Sequence, residues 1–240
     1  MDKERKLLPR VGTRKLYYMI KEDLDQVGIR FGRDKLFDLL RVNDLLIKPR
    51  RRYTKTTMSK HWLRKWPNLI KNTRAMSIDE IWVSDITYLK TKHGNCYLNM
   101  VTDAYSRKIM GYAVAENMET ESMIDALKMA TRNRKNTGLP TIHHSDRGLQ
   151  YCSKEYSWLC NKNNIQLSMT ENGDPYENAL AERMNRTIKE EFGMDKILSD
   201  RQIVKKLVEE SIFLYNHKRP HLALNMKTPE QVYQTKIPAT

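Results

Sequence analysis

The sequence predicts an α/β fold in which a mixed sheet, built from a three-stranded antiparallel meander plus parallel strands, is flanked by helices and preceded by an all-α, helix-turn-helix-like region. Three observations carry that expectation. Apolar residues recur at 3.6-residue spacing near the N-terminus, strand-like segments follow at hairpin intervals from residue 81, and helical and strand patterns alternate after that.

Two helices are expected first. Leu16, Met19, Ile20, Leu24 and Val27 share one helical face over 13–27, and Gly28 follows as a stop. A second period runs through Leu36, Leu39 and Leu40 to Leu45 and Leu46, entered through Gly32, Arg33 and Asp34. The basic run from Lys48 to Lys55 contains Pro49, Arg50, Arg51 and Arg52 and suits phosphate contacts or a groove. Residues 56–80 read as a connector in which Trp62 and Trp66 are packing anchors. Strands are expected over 81–89, 96–102 and 109–114, with turns at 92–95 and 106–108. A helix over 121–134, a strand over 141–144, a helix near 153–163, a strand over 165–168 and a helix over 176–192 complete the order.

Composition narrows the function. The chain has 240 residues and a formal net charge of +14, from 43 Lys+Arg against 29 Asp+Glu. Residues 1–76 hold 21 basic and 8 acidic residues, so nearly all the excess lies in the first third and points to a polyanion partner, with nucleic acid favoured over a merely solubilising face. Apolar residues make up 40%, enough for a core of one or two domains. Cys96, Cys152 and Cys160 form no CxxC pair, which argues against a disulfide scaffold or a zinc finger and for a reducing compartment. The N-terminus opens without an apolar segment, and no run of about 18 apolar residues occurs, so neither export nor a membrane span is expected.

Three carboxylates stand out. Asp85 interrupts a hydrophobic strand, where a lone buried charge is costly. Asp146 follows the strand over 141–144 at its C-terminal edge, where ligand sites collect. Glu182 lies on the helix over 176–192; there Ala181, Met184, Ile188 and Phe192 form the apolar stripe, leaving Asn178, Glu182, Asn185 or Arg186, and Lys189 on another face. Taken singly, each acid has an ordinary reading as an edge residue, a turn former or an exposed helix carboxylate. If they converge, each pair at ~4 Å repels by roughly 4 kcal/mol at an effective dielectric near 20. Protons or divalent cations must relieve that, and an all-oxygen set suits Mg²⁺ or Mn²⁺. Two such ions support displacement at phosphorus, with Lys189 placed to meet a phosphate. His143 and His144 alternate on their strand, so at most one can join the site.

The strings Trp82-Val83-Ser84-Asp85-Ile86-Thr87-Tyr88, His144-Ser145-Asp146-Arg147-Gly148-Leu149-Gln150-Tyr151 and Tyr176-Glu177-Asn178-Ala179-Leu180-Ala181-Glu182, with Lys189, resemble the retroviral-integrase-like DDE transposases of bacterial insertion sequences, near the OrfB type. Thirty-five residues separate Asp146 from Glu182, and Lys189 stands seven after the glutamate. The tail Tyr215-Asn216-His217-Lys218-Arg219-Pro220-His221-Leu222-Ala223-Leu224, then Thr228-Pro229, is similar to that family's C-terminal signature. Glu177 stands where Asp is common, and Arg183-Met184 where Ser and an aromatic residue are frequent.

The resemblance implies an RNase H-like core over 77–240 with a C-terminal helical extension, and a DNA-binding region over 1–76. It implies nicking at element ends and transfer of the 3′-hydroxyls into DNA, with Asp85, Asp146 and Glu182 as catalytic residues and ligands of two Mg²⁺ or Mn²⁺ ions. Lys189, Arg186, Asn178, Arg50, Arg51 and Arg52 are the expected DNA contacts. Expected partners are double-stranded DNA at the element ends and target, further copies of the chain, and an OrfA-type product, in a bacterial cytoplasm near the nucleoid. An RNase H-like nuclease without a joining step, or an inert DNA-binding regulator, are the alternatives.

Overall fold

The structure, a computed structural model, describes residues 1–48, 66–71, 73–171 and 178–235. Arg50, Arg51, Arg52 and Trp62 lie outside these residues. Three helices open the chain: α1 (Asp2–Leu7), α2 (Thr13–Gln26) and α3 (Arg33–Val42). α2 ends before Gly28, whose φ of 74° lies in the left-handed region open to glycine. α3 stops earlier than the periodicity predicts, because Asn43 and Asp44 turn the chain, Asp44 at φ 52°, before Leu45 and Leu46.

The sheet contains β1 (Ile81–Thr91), β2 (Gly94–Asp103), β3 (Ile109–Ala115), β4 (Thr141–Ser145) and β5 (Ile165–Met169) in the order β3-β2-β1-β4-β5. The first three pair antiparallel; β1 with β4 and β4 with β5 pair parallel. The long parallel connections carry α4 (Thr120–Asn133) and α5 (Lys154–Lys162), the latter capped by the Ser153 hydroxyl. After β5 come α6 (Ala179–Glu191), α7 (Arg201–His217) and α8 (Pro229–Gln234). α8 begins with a capping box between Thr228 and Gln231.

Strand alternation divides the sheet into two faces. Trp82 and Val101 pack with Met123, Leu127 and Tyr156 under α4 and α5. Leu89, Leu98 and Met100 on the other face pack with Met184 and Ile188 of α6, Val208 and Ile212 of α7, and Leu16 and Leu36 of the N-terminal helices. The four apolar positions predicted as the α6 stripe are all buried. At Gly111 of β3 a Cβ would meet the Ala126 carbonyl oxygen at 2.0 Å, so only glycine lets α4 approach this closely.

Each sheet edge is met at one end by another part of the chain, which satisfies strand backbone there. On β3 the Asn216 side chain accepts from the Ile109 N–H and donates to its carbonyl, each at 3.0 Å, as a neighbouring strand would. On β5 the Met169 N–H donates to the Pro67 carbonyl and the Leu69 N–H to Ser168 Oγ. Buried Asp79, at φ 62°, ties the start of β1 to the end of α4 and to α8, accepting from Trp82 Nε1, the backbone N–H groups of Lys135 and Asn136, and the Tyr233 hydroxyl. Cys96, Cys152 and Cys160 are free thiols. Among the described residues no helix is long and apolar enough to cross a membrane.

Candidate active site

Register alone brings two of the three acids together. Ser84 of β1 pairs with Ser145 of β4 at the end of the parallel ladder, so Asp85 and Asp146 each follow its last pair, near enough for the Asp146 charge to act on Asp85. Alternation turns Asp85 to the α6 face, opposite Met100 of β2. β4 stops at Ser145, and Asp146 Oδ1 accepts from the Gly148 N–H at 3.1 Å, closing a tight turn. Glu182 sits exposed in the first turn of α6, whose buried face rests against β1.

The electrostatics follow from that arrangement. Burial, then the Asp146 charge and to a smaller extent Glu182, push the Asp85 carboxyl up to about 7, although Asn185 Nδ2 donates to its Oδ2 at 2.9 Å. Glu182 is raised by burial and by Asp146, with Arg186 four residues on opposing the shift. Lys189 donates to Thr87 Oγ1 at 3.2 Å and lies 4.6 Å from the centre of the Tyr88 ring; burial lowers its pKa. Its cation therefore stands beside the cluster without neutralising it. As placed, no three His, Cys, Asp or Glu side chains among the described residues are close enough to grip one metal ion.

The other expected contacts divide. Arg186 is exposed. Asn178 is instead buried, 5% exposed, because its Nδ2 donates to the Ser84 carbonyl at 3.0 Å and fastens the start of α6 to β1. His143 and His144 point to opposite faces, His143 Nε2 meeting Ser84 Oγ at 2.8 Å and His144 Nδ1 meeting Ser168 Oγ at 2.8 Å. Burial and the neighbouring His144 press His143 down to about 3, so it is neutral at ordinary pH. Asn185 is the polar neighbour that periodicity did not single out: it shares the Glu182–Lys189 side of α6, but only the register shows that Asp85 lies beneath it.

The integrase core domain family matches residues 77–175, and a second integrase core domain family matches 163–229. A 31 kDa protein of insertion element IS600 from Shigella sonnei, described as uncharacterized, is 36% identical over 221 residues, spanning 91% of this chain and 79% of that protein. The chain belongs to the DDE transposases of bacterial insertion sequences. The InsF transposase of IS3 in Escherichia coli K12 is 31% identical across 88% of this chain and 74% of its own length, and the IS904 transposase of Lactococcus lactis 34% across 71% and 70%.

The fold of this transposase is RNase H-like. The HTLV-2 integrase catalytic core, solved with magnesium, superposes with a TM-score of 0.53 at 20% identity over 67% of this chain and all of that one. The integrase of a simian T-cell lymphotropic virus intasome gives 0.59 at 18% identity over 95% and 77%.

The transposase's C-terminal signature has a physical function that its residue types alone do not disclose. Arg219, 4% exposed, grips Glu191 at the end of α6 through two 2.6 Å bonds and meets His221 Nε2 at 2.6 Å. Lys15 of α2 reaches the same carboxylate at 3.3 Å. Two distant segments, α2 and the C-terminal tail, thus converge on the far end of the helix that carries Glu182.

Proposed function

We propose that this transposase cuts DNA at the ends of its element and joins the exposed 3′-hydroxyls to target DNA, with Asp85, Asp146 and Glu182 holding two Mg²⁺ or Mn²⁺ ions. One observation carries this reading: Asp85 on β1, Asp146 just past β4 and Glu182 on α6 stand near enough that the charges of the other two raise the Asp85 carboxyl. The donors are all oxygen, which fits hard divalent cations, and their repulsion is what such ions relieve. The missing three-way grip accords with that repulsion, since the side chains draw together only once it is cancelled. Bound ions would activate the attacking oxygen and stabilise the leaving one.

The chain's own residues then orient the DNA. Asn185 Nδ2 and the Ile86 N–H each donate to one oxygen of the Asp85 carboxylate and fix its orientation, and the remaining lone pairs of both oxygens stay open to a ligand. Lys189, held by Thr87 and Tyr88, presents a point charge to a phosphate beside the cluster, and Arg186 extends that positive edge outward. Residues 1–76, including the basic run with Arg50, Arg51 and Arg52, grip duplex DNA largely through phosphates. Assembly on two DNA ends calls for at least two copies, and an OrfA-type product completes end recognition.

The test joins labelled 3′-hydroxyl ends to a plasmid, with and without Mg²⁺. Wild-type protein is expected to give joined product only with the ion. Asp146→Asn is expected to abolish joining and keep DNA binding whose affinity falls with salt at a slope of about −3.6, for ~4 phosphate contacts. Nicks without joined product identify a nuclease, and binding without turnover a regulator.

A further inference from the structure

We propose that a groove beside the acidic cluster holds a short single-stranded stretch of DNA adjoining the phosphate to be cut. This rests on the transposase reading and adds to it the part of the substrate that is unpaired.

The groove encloses about 870 Å³ between the segment before β1, the start of α6 and the turn before α8. It leads to the site: Val83 in its floor lies two residues before Asp85 on the same side of β1, and Asn178 in its wall stands four residues, about one helical turn, before Glu182. Three cations line it, Arg74, Arg107 and Lys227, and no carboxylate is among its described lining residues. None of those three side chains makes a hydrogen bond or ion pair among the described residues. Arg107 is half-buried in this state, held by a backbone at φ 65° that few non-glycine residues adopt.

Asn178 supplies an independent sign of a ligand. It lines the groove nine-tenths buried, and while its Nδ2 is committed to Ser84, its Oδ1 has no hydrogen-bond partner among the described residues. Such an acceptor suits an amino group on a base edge. Tyr105, 41% exposed, offers a ring for stacking.

Apolar floor, ring and clustered cations together match a single strand, whose bases stack while its phosphates meet the cations. The volume falls within the range of about 300–1,000 Å³ typical of clefts for small ligands, too small for a double helix. An apolar peptide would leave all three cations unpaired, which makes it the poorer occupant.

The experiment measures affinity of the full chain, in Ca²⁺ buffer, for a blunt element-end duplex and for the same duplex with a three-nucleotide unpaired tail. Wild-type protein is expected to bind the tailed duplex about tenfold more tightly, the scale of one or two stacked bases. Arg107→Gln with Lys227→Glu should reduce that advantage below twofold while blunt-duplex affinity stays within about threefold, because both residues lie outside the duplex-binding region 1–76 and groove phosphates are absent from the blunt substrate. Tyr105→Ala should reduce the advantage about threefold. Lys154→Glu, on α5, should leave it unchanged. No tail advantage in the wild type, its persistence in the double variant, or equal losses on both substrates overturns the proposal. The joining assay reports the catalytic reading separately: joining without a tail advantage overturns only the groove, and a groove-dependent tail advantage without joining only the catalysis.

Discussion

Asp85→Asn removes one charge from the acidic cluster, and the structure sets the size and sign of the effect on stability. Burial, Asp146 and Glu182 raise the Asp85 carboxyl from 3.8 to about 7. A group raised in the folded state contributes stability that is fully present below its unfolded value and lost as pH rises through its folded one. Three units amount to about 4 kcal/mol at most, and about 3 kcal/mol of that is lost between pH 5 and pH 8.5. Asp103, raised to about 6 by burial, acts in the same direction, whereas His143 at about 3 and His221 at about 2 oppose it below their ordinary 6.5. The difference between wild type and variant cancels these. Urea unfolding in EDTA should therefore show Asp85→Asn gaining about 3 kcal/mol on the wild type from pH 5 to pH 8.5. Mn²⁺ at pH 8 should stabilise the wild type and leave the variant nearly unmoved, because the proposed ion site needs the Asp85 carboxylate. Parallel pH curves, or equal gains from Mn²⁺, would refute the reasoning.

Other perturbations probe neighbouring parts. Gly111→Ala drives a methyl group to 2.0 Å from the Ala126 carbonyl oxygen, so α4 must shift; a loss of about 3 kcal/mol is expected in urea unfolding. Burial alone would raise Glu191, but the Arg219 bonds and the Arg219 and Lys15 charges hold it below the usual carboxylate range. Glu191→Gln should therefore cost about 3 kcal/mol, since it strands two partly or wholly buried cations, with the loss visible at neutral pH and shrinking in acid. Lys189→Ala should slow joining by about 10- to 100-fold, the worth of one charge-assisted hydrogen bond, with DNA affinity within about twofold by anisotropy.

How much could be read beforehand differs between sheet and helices. Strand positions, the α6 stripe and the opposition of His143 to His144 follow from periods of 2.0 and 3.6, which are local properties. The nearness of Asp85 to Asp146 is not local, because it depends on a parallel register between segments sixty residues apart. Spacing could suggest those acids, and resemblance strengthened the choice, but only pairing brings them near each other. Asn178 shows what face assignments leave out: its place on the Glu182 side of α6 is legible, but not that the Ser84 carbonyl lies within its reach and takes its amide. The end of α3 was missed for a similar reason, as the leucine period continues past residues that turn.

The acidic cluster joins components of unequal stiffness. Asp85 lies on β1 and Asp146 directly follows the last β1–β4 pair, Ser84 with Ser145, so the sheet holds the chain on the N-terminal side of both acids, and the turn closed by the Gly148 N–H holds Asp146 on its other side. Glu182 rides on α6, held at its start by the Asn178 amide and at its end by the buried Glu191–Arg219 pair. Those two anchors lie thirteen residues apart, nearly four helical turns, and between them the polar face meets β1 through Asn185 and Lys189. Drawing the third carboxylate in must then come from the Glu182 side chain and small tilts of α6 about its anchors. Loosening the Glu191 anchor should thus raise the Mn²⁺ concentration needed for half-maximal joining, while loss of Lys189 should leave that concentration unchanged and lower the maximal rate.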